Sequence, residues 1–266
     1  MKEFIVRTSS AVVMIALVYS AVRFLPTALF FSFVFLLASF AVYEFHKMQA
    51  AAVWQYPLSW AGGLALGFSL WLGRPELPQV LFLILLVNGI AMILWVRRPE
   101  RLPRFPAVFG QQMLGLIYIY FPLFYLFMLR EQRHGLLFFL IYSVAIGDSG
   151  AYFFGKAFGK HKIYPVASPK KSLEGFIAAL ICAGVFAVGG YYLFGLTDFS
   201  LAFIILSGVL LALLSQLADP LESLFKRFAG VKDSGSLIPG HGGILDRIDS
   251  YLLCAPAFYF WIQWFS

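Results

Sequence analysis

Apolar runs close to twenty residues long follow one another almost without pause along this chain. A helix needs about 20 mainly apolar residues to cross the hydrocarbon core of a bilayer, so run length constrains the fold before any motif is considered. Segmentation on that rule gives nine candidate spans, within residues 6–23, 26–44, 57–73, 78–96, 107–129, 134–155, 174–195, 199–218 and 244–265. The runs lack the period-two alternation of a transmembrane barrel, and lipid leaves the backbone no other hydrogen-bonding solution. Only 12% of the residues are charged, about half the share in an ordinary soluble domain. The expectation is an all-α polytopic integral membrane protein with about nine transmembrane helices. It reads as a single membrane domain over residues 1–266, because no Pro/Ser-rich linker, low-complexity tract or internal repeat divides it.

The basic residues give a topology. Cytoplasmic loops collect Lys and Arg, and sixteen of the twenty basic residues fall on one side of the nine-span arrangement. These are Lys2, Arg7, Lys47, Arg97, Arg98, Arg101, Arg104, Lys156, Lys160, Lys162, Lys170, Lys171, Lys226, Arg227, Lys232 and Arg247; Arg23, Arg74, Arg130 and Arg133 fall on the other. The N-terminus is therefore expected in the cytoplasm and the C-terminus outside. Lys2 and Arg7 precede an apolar run with no small-residue cleavage site after it, which reads as a first anchor rather than a signal peptide. Cys182 and Cys254 lie inside apolar runs, without metal-ligand or disulfide spacing, and read as packing residues.

Two richly polar connections, residues 155–173 and 219–247, fall on the cytoplasmic side. Around them sit acids at depths where a carboxylate costs several kcal/mol unless it meets a partner, a cation or a wet cavity. Asp148 lies in "AIGDSGAYFFGK", Asp219 in "LLSQLADPLESLFKR", and Asp246 and Asp249 in "GGILDRIDSYLL". On a helix Asp246 and Asp249 share a face, as do Asp219 and Glu222. Oxygen ligands of this kind suit Mg²⁺, which takes one or two carboxylates and completes its shell with water and substrate phosphates. The competing account pairs the same acids with Arg247, Lys226 or Arg227 as helix-end salt bridges.

In "PGHGGILDR", Gly240, Gly242 and Gly243 surround His241 just before a helix, where they make either a phosphate cradle or a plain turn. His241 has three readings: general base, phosphate donor or turn residue. The loop "GKAFGKHKIYPVASPKKSLEG" carries five lysines and no acid before Glu174. Ser and Pro at the helix start would put Lys170 and Lys171 in its first turn, facing an anion. Alternatively, the lysines only signal topology and bind anionic head groups. Acids for a divalent metal, cations for phosphates and a glycine turn are parts for phosphoryl transfer. No side-chain nucleophile or Walker motif is present, so a substrate oxygen is expected to attack directly, and the scaffold suggests a lipid. The alternatives are an ion-coupled transporter with a buried aspartate site and a non-catalytic lipid-binding protein.

The stretch "SLFKRFAGVKDSGSLIPGHGGILDRID", Ser223 to Asp249, resembles the signature of the phosphatidate cytidylyltransferases, also called CDP-diacylglycerol synthases. That signature runs S-x-[aliphatic or Phe]-K-R-x4-K-D-x-[small]-x2-[apolar]-P-x-H-G-G-x2-D-R-x-D. "GDSGAYFFGKAFGKHK" and "SPKKSLEG" are similar to upstream segments of the family. The resemblance covers the C-terminal half, 131–266, as the catalytic helices and loops, and leaves 1–130 as scaffold helices that also offer contacts for a homodimer. Departures are Ala218 before Asp219, where the family commonly has Gly, and Ser172-Leu173, where it often has Thr-Trp.

The resemblance implies that CTP and phosphatidic acid react to CDP-diacylglycerol and pyrophosphate with Mg²⁺, at a cytoplasm-facing site in the cell membrane, among membrane lipids and without nucleic acid. A second metal ion is compatible with it. It implies metal ligation by Asp219 and Asp246, with Asp249 and Asp148 in support. Lys170, Lys171, Lys226, Arg227, Lys232 and Arg247 would neutralise phosphates; Ser223 would contact substrate; His241, Gly242 and Gly243 would hold pyrophosphate; Asp233 would orient Lys232 or bind metal.

Overall fold

The computed structural model describes residues 2–73 and 77–265, and the side chains of all of these except 2–7. Arg74 and the side chains of Lys2 and Arg7, which enter the charge tally, lie outside the described residues. The described chain is helical: α1 Lys2–Phe24, α2 Thr27–Met48, α3 Gln55–Trp71, α4 Leu77–Trp95, a 3₁₀ turn Pro99–Arg104, α5 Phe105–Leu114, a π turn Gly115–Tyr120, α6 Phe121–Gln132, α7 His134–Phe158, α8 Leu173–Leu193, α9 Leu201–Phe228 and α10 Leu245–Phe265. Among the described residues, six helical stretches are long and apolar enough to cross a membrane: α2, α4, Pro99–Gln132, α7, α8 and α9. The apolar part of α1, Thr8–Phe24, is shorter, α3 has 17 residues, and α10 opens on Asp246, Arg247 and Asp249.

Proline chemistry explains the local departures from straight rods. Pro122 has no N–H to give to Tyr118, and the ladder widens into the π turn just ahead of it. In α9 the helix does not stop near residue 218, as run length predicts, but continues through Pro220 to Phe228. Residues 219–228, expected as a connection, are therefore helix. Losing one hydrogen bond at Pro220 is tolerated because the extension buries Glu222 and Lys226 as an i,i+4 pair. A second correction concerns α8. Ser172 caps it, its Oγ accepting from the Gly175 N–H at 3.3 Å, so Lys170 and Lys171 stand just before the helix rather than in its first turn.

Small residues set how closely the C-terminal helices approach. A Cβ added at Gly175 of α8 would lie 2.8 Å from the Ala151 carbonyl of α7, and one at Gly208 of α9 would lie 2.8 Å from the Ala183 carbonyl of α8. Such contacts drive association where lipid offers no hydrophobic gain. The N-terminal half packs differently. Glycines 62, 63 and 67 of α3 make room for Leu116, Tyr120 and Phe124, beside an aromatic cluster of Phe31, Phe68, Trp71 and Phe127. α10 packs on α6 and α9 and touches α2, so it joins the two halves around one buried core.

Candidate active site

A cleft of about 790 Å³ opens where α7, the 159–172 loop, α8 and α9 meet. Asp148 and Asp219 lie in its lining, with Lys156, Lys162, Lys170 and Lys171 around them, and glycines 155, 159 and 175 let α7, α8 and Ser172 pack closely at its wall. The lysine loop is an ordered strap. Glu174 accepts from the Lys160 N–H at 3.0 Å and pairs with His161 Nδ1 at 2.6 Å, while the Leu173 N–H donates to the His161 carbonyl at 2.8 Å.

The two cleft aspartates are joined through serines from neighbouring helices. Asp148 Oδ1 accepts from Ser215 Oγ and from Gln216 Nε2, each at 2.8 Å. Ser250 Oγ donates to Asp219 Oδ1 at 2.7 Å, Lys171 Nζ donates to Asp219 Oδ2 at 2.9 Å, and the two serine hydroxyls are 3.2 Å apart. Asp249, one residue before Ser250, accepts from the Ser250 N–H at 2.8 Å, and both Asp148 and Asp249 feel the charge of Asp219. Asp148 and Asp249 each lie within the field of Asp219, beside one bound lysine, and a cation there would relieve that repulsion.

A second cluster lies at the start of α10. Lys226 sits between Glu222, in contact, and Asp246 Oδ1 at 2.7 Å, with side chains exposed by only 10%, 1% and 6% respectively. Asp246 Oδ2 accepts from Ser234 N at 2.9 Å, Ser234 Oγ at 3.0 Å and Gly243 N at 2.9 Å. The salt-bridge alternative is thus realised for Asp246 and Lys226. Gly243 spends its N–H on that carboxylate. Gly240 and Gly242 have positive φ, 75° and 82°, in a turn closed by Ile238 N–H to the Gly242 carbonyl at 3.0 Å and His241 N–H to the Ile238 carbonyl at 2.9 Å. His241 Nδ1 is buried without a hydrogen-bond partner.

Of the residues picked from the sequence, Asp148, Asp219, Lys170 and Lys171 share the cleft lining, and Asp249 joins their electrostatic cluster. Arg227, Lys232, Asp233 and Arg247 are exposed and do not line it; Arg227 donates to the Val231 carbonyl and Arg247 to the His241 carbonyl. Ser223 is half-buried on α9. Sequence reasoning missed Ser215, Gln216, Ser234, Ser250 and Glu44. Ser215 and Gln216 carried a signal, a polar pair one turn ahead of Asp219 in an apolar run.

Among the described residues, no three acidic, His or Cys side chains converge closely enough to hold a metal ion by themselves. The cleft nevertheless suits Mg²⁺. Asp148 and Asp219 supply the one or two carboxylates that Mg²⁺ uses when water and substrate phosphate complete its shell.

Comparison with known proteins gives the family. A phosphatidate cytidylyltransferase from Staphylococcus aureus (strain COL) is 40% identical over 178 residues, a match that takes in 65% of this chain and 65% of that protein. The chain thus spans just under two thirds of that relative's length. Proteins of the same name from Staphylococcus saprophyticus and Staphylococcus epidermidis are 39% and 37% identical, over 54% of this chain and 55% of each relative. The model of the Cytidylyltransferase family matches residues 5–265, and the chain belongs to that family.

Proposed function

We propose that this protein transfers the CMP moiety of CTP to phosphatidic acid, forming CDP-diacylglycerol and releasing pyrophosphate. The observation that carries this reading is the cleft, where carboxylates lie among four lysines at the end of a bundle of membrane-length helices. Family membership and the names of the relatives support it.

In this reading a phosphate oxygen of phosphatidate bonds to the α-phosphorus of CTP, and the bond from that phosphorus to the bridging oxygen of the β-phosphate breaks. The lipid phosphate is already ionised near neutral pH, so no side chain has to serve as nucleophile or strong base. Lys170 and Lys171 hold the triphosphate, and Lys156 and Lys162 draw anions into the cleft. Lys171, held by Asp219 at 2.9 Å, is poised at the reacting phosphate. Asp148 and Asp219 would hold Mg²⁺, with Ser215, Gln216 and Ser250 fixing their oxygens and Asp249 in support. When bound, the ion neutralises charge on the phosphates. Asp246 joins the ligands only by giving up a donor it now has; in its present bonding it fixes the 232–245 turn at the head of α10. Arg227, Lys232, Arg247, His241, Gly242 and Ser223 are proposed to meet substrate phosphates from the rim.

The same proposal places residues 131–266 around the chemistry and 1–130 as scaffold, with nine crossings, the N-terminus and cleft toward the cytoplasm and the C-terminus outside, in the cell membrane. The test is incubation of purified protein with CTP and phosphatidate, with and without Mg²⁺. A liponucleotide formed only with the metal supports the reading. No liponucleotide under either condition overturns it and leaves the ion-transport alternative standing.

A further inference from the structure

Glu44 of α2 is 2% exposed, yet none of its bonds is to a lysine or arginine among the described residues. Its carboxylate reaches across 190 and more residues of sequence to the loop before α10. Oε1 accepts from the Ile244 N–H at 3.1 Å, and Oε2 accepts from the Leu245 N–H at 2.9 Å and from Ser234 Oγ at 3.0 Å. Two of these donors are backbone groups at the start of α10, where a helix leaves N–H groups unsatisfied and concentrates positive partial charge. Glu44 is therefore a cap supplied from another helix.

Two loop glycines are shaped around it. A Cβ at Gly235 would meet Glu44 and nothing nearer, and one at Gly243 would meet Ser234 Oγ and Glu44 Oε2. Ser234 links this cap to Asp246. Its Oγ, with one proton to donate to either, lies 3.0 Å from both Glu44 Oε2 and Asp246 Oδ2, and accepts from the Asp246 N–H at 3.3 Å. One turn further along α10, Ser250 holds Asp219 at the cleft.

We infer that Glu44 is a positioning residue for the transfer reaction: by capping α10 and seating the 232–245 loop, it fixes the register in which Asp246 and Ser250 are presented to the site. The inference rests on the activity proposed above. It assigns a catalytic requirement to the N-terminal half of the chain, through one side chain.

Glu44→Gln keeps the shape but sets an amide donor against the N–H and O–H donors that Glu44 now accepts. Purified Glu44→Gln is expected to lose at least tenfold in kcat with a smaller rise in KM for CTP, because Lys170 and Lys171, which hold the triphosphate, lie on a different loop. Gly235→Ala is expected to lower Tm in the wild-type background and to lower it less in Glu44→Ala, since the three atoms nearest the added methyl all belong to Glu44. Wild-type kcat in Glu44→Gln, a kcat loss that merely matches the loss of monodisperse folded protein, or additive Tm changes in the glycine cycle would each overturn the inference. If the wild type forms no liponucleotide at all, the proposed activity falls and the catalytic role of Glu44 falls with it. An active wild type with an unaffected Glu44→Gln sinks the positioning role alone.

Discussion

Lys226→Met tests whether the second cluster holds the protein together. Methionine keeps most of the apolar stem and removes the cation, leaving two acids that are 1% and 6% exposed without their counter-charge. The two are not equally affected. Asp246 retains Ser234 N, Ser234 Oγ and Gly243 N as donors, whereas among the described residues Glu222 has only the Lys226 ammonium. The cost therefore falls mainly on Glu222, and removing one partner from a buried pair costs about 3–5 kcal/mol. For a domain near this size, roughly 2–4 °C per kcal/mol turns that into a Tm loss of roughly 6–20 °C. Thermal unfolding in detergent, followed with a thiol-reactive fluorophore in a Cys182→Ser background, reads this, because Cys254 is a free, fully buried thiol and Cys182 is only partly buried. Lys226→Met/Glu222→Gln should recover most of the loss, since the stranded charge is gone. A single variant within about 2 °C of wild type, or a double variant no better than the single, would refute the reasoning.

Asp219→Asn should lower turnover by about 100-fold or more with Tm nearly unchanged, because the side chain is 29% exposed; near-normal turnover would remove it from the site. Lys171→Met, losing a charge-assisted bond of about 1.5–3 kcal/mol, should raise KM for CTP about tenfold or more, as measured by initial rates over a CTP series. Gly175→Ala should lower Tm by the equivalent of about 1–3 kcal/mol, because its methyl would press on the Ala151 carbonyl. At the opposite end of the bundle, hydrogen bonding from Arg133 at 2.6 Å holds the Asp198 carboxyl below its usual range. A depressed folded-state value means stability present above the unfolded carboxylate pKa and lost as pH falls through the folded one. The pair is exposed and solvent-screened, worth under about 1 kcal/mol, so Asp198→Asn should trail wild type slightly in Tm at pH 7, and the gap should close as the pH is lowered.

Much of this architecture is legible in one dimension. Hydrophobic run length locates the helices because a crossing of lipid needs about 20 apolar residues each time, and the lysine loop and the aspartates within apolar runs stand out against that background. The run-length rule failed at α9, where Asp219 and Pro220 resemble a stop; there, burial of Glu222 against Lys226 carries the helix onward. The cap reading, not run length, failed at Lys170 and Lys171, because Ser172 caps the helix in place of the earlier Ser168. Glu44 carries no local sign of its role, since its partners lie 190 to 201 residues away. The glycines after His241 are ambiguous in sequence for a physical reason: a phosphate and a carboxylate ask the same thing of a backbone N–H, and here Asp246 takes the Gly243 donor.

The central claim is that the bond broken in CTP lies between the α- and β-phosphates and that the α-phosphate passes to a lipid. Parallel reactions with CTP labelled at the α- or at the γ-phosphorus, with phosphatidate and Mg²⁺, followed by phase extraction, test it directly. The account predicts α-label in the organic phase as liponucleotide and γ-label in the aqueous phase as pyrophosphate. Recovery of γ-label in the lipid, or of neither label, would contradict it.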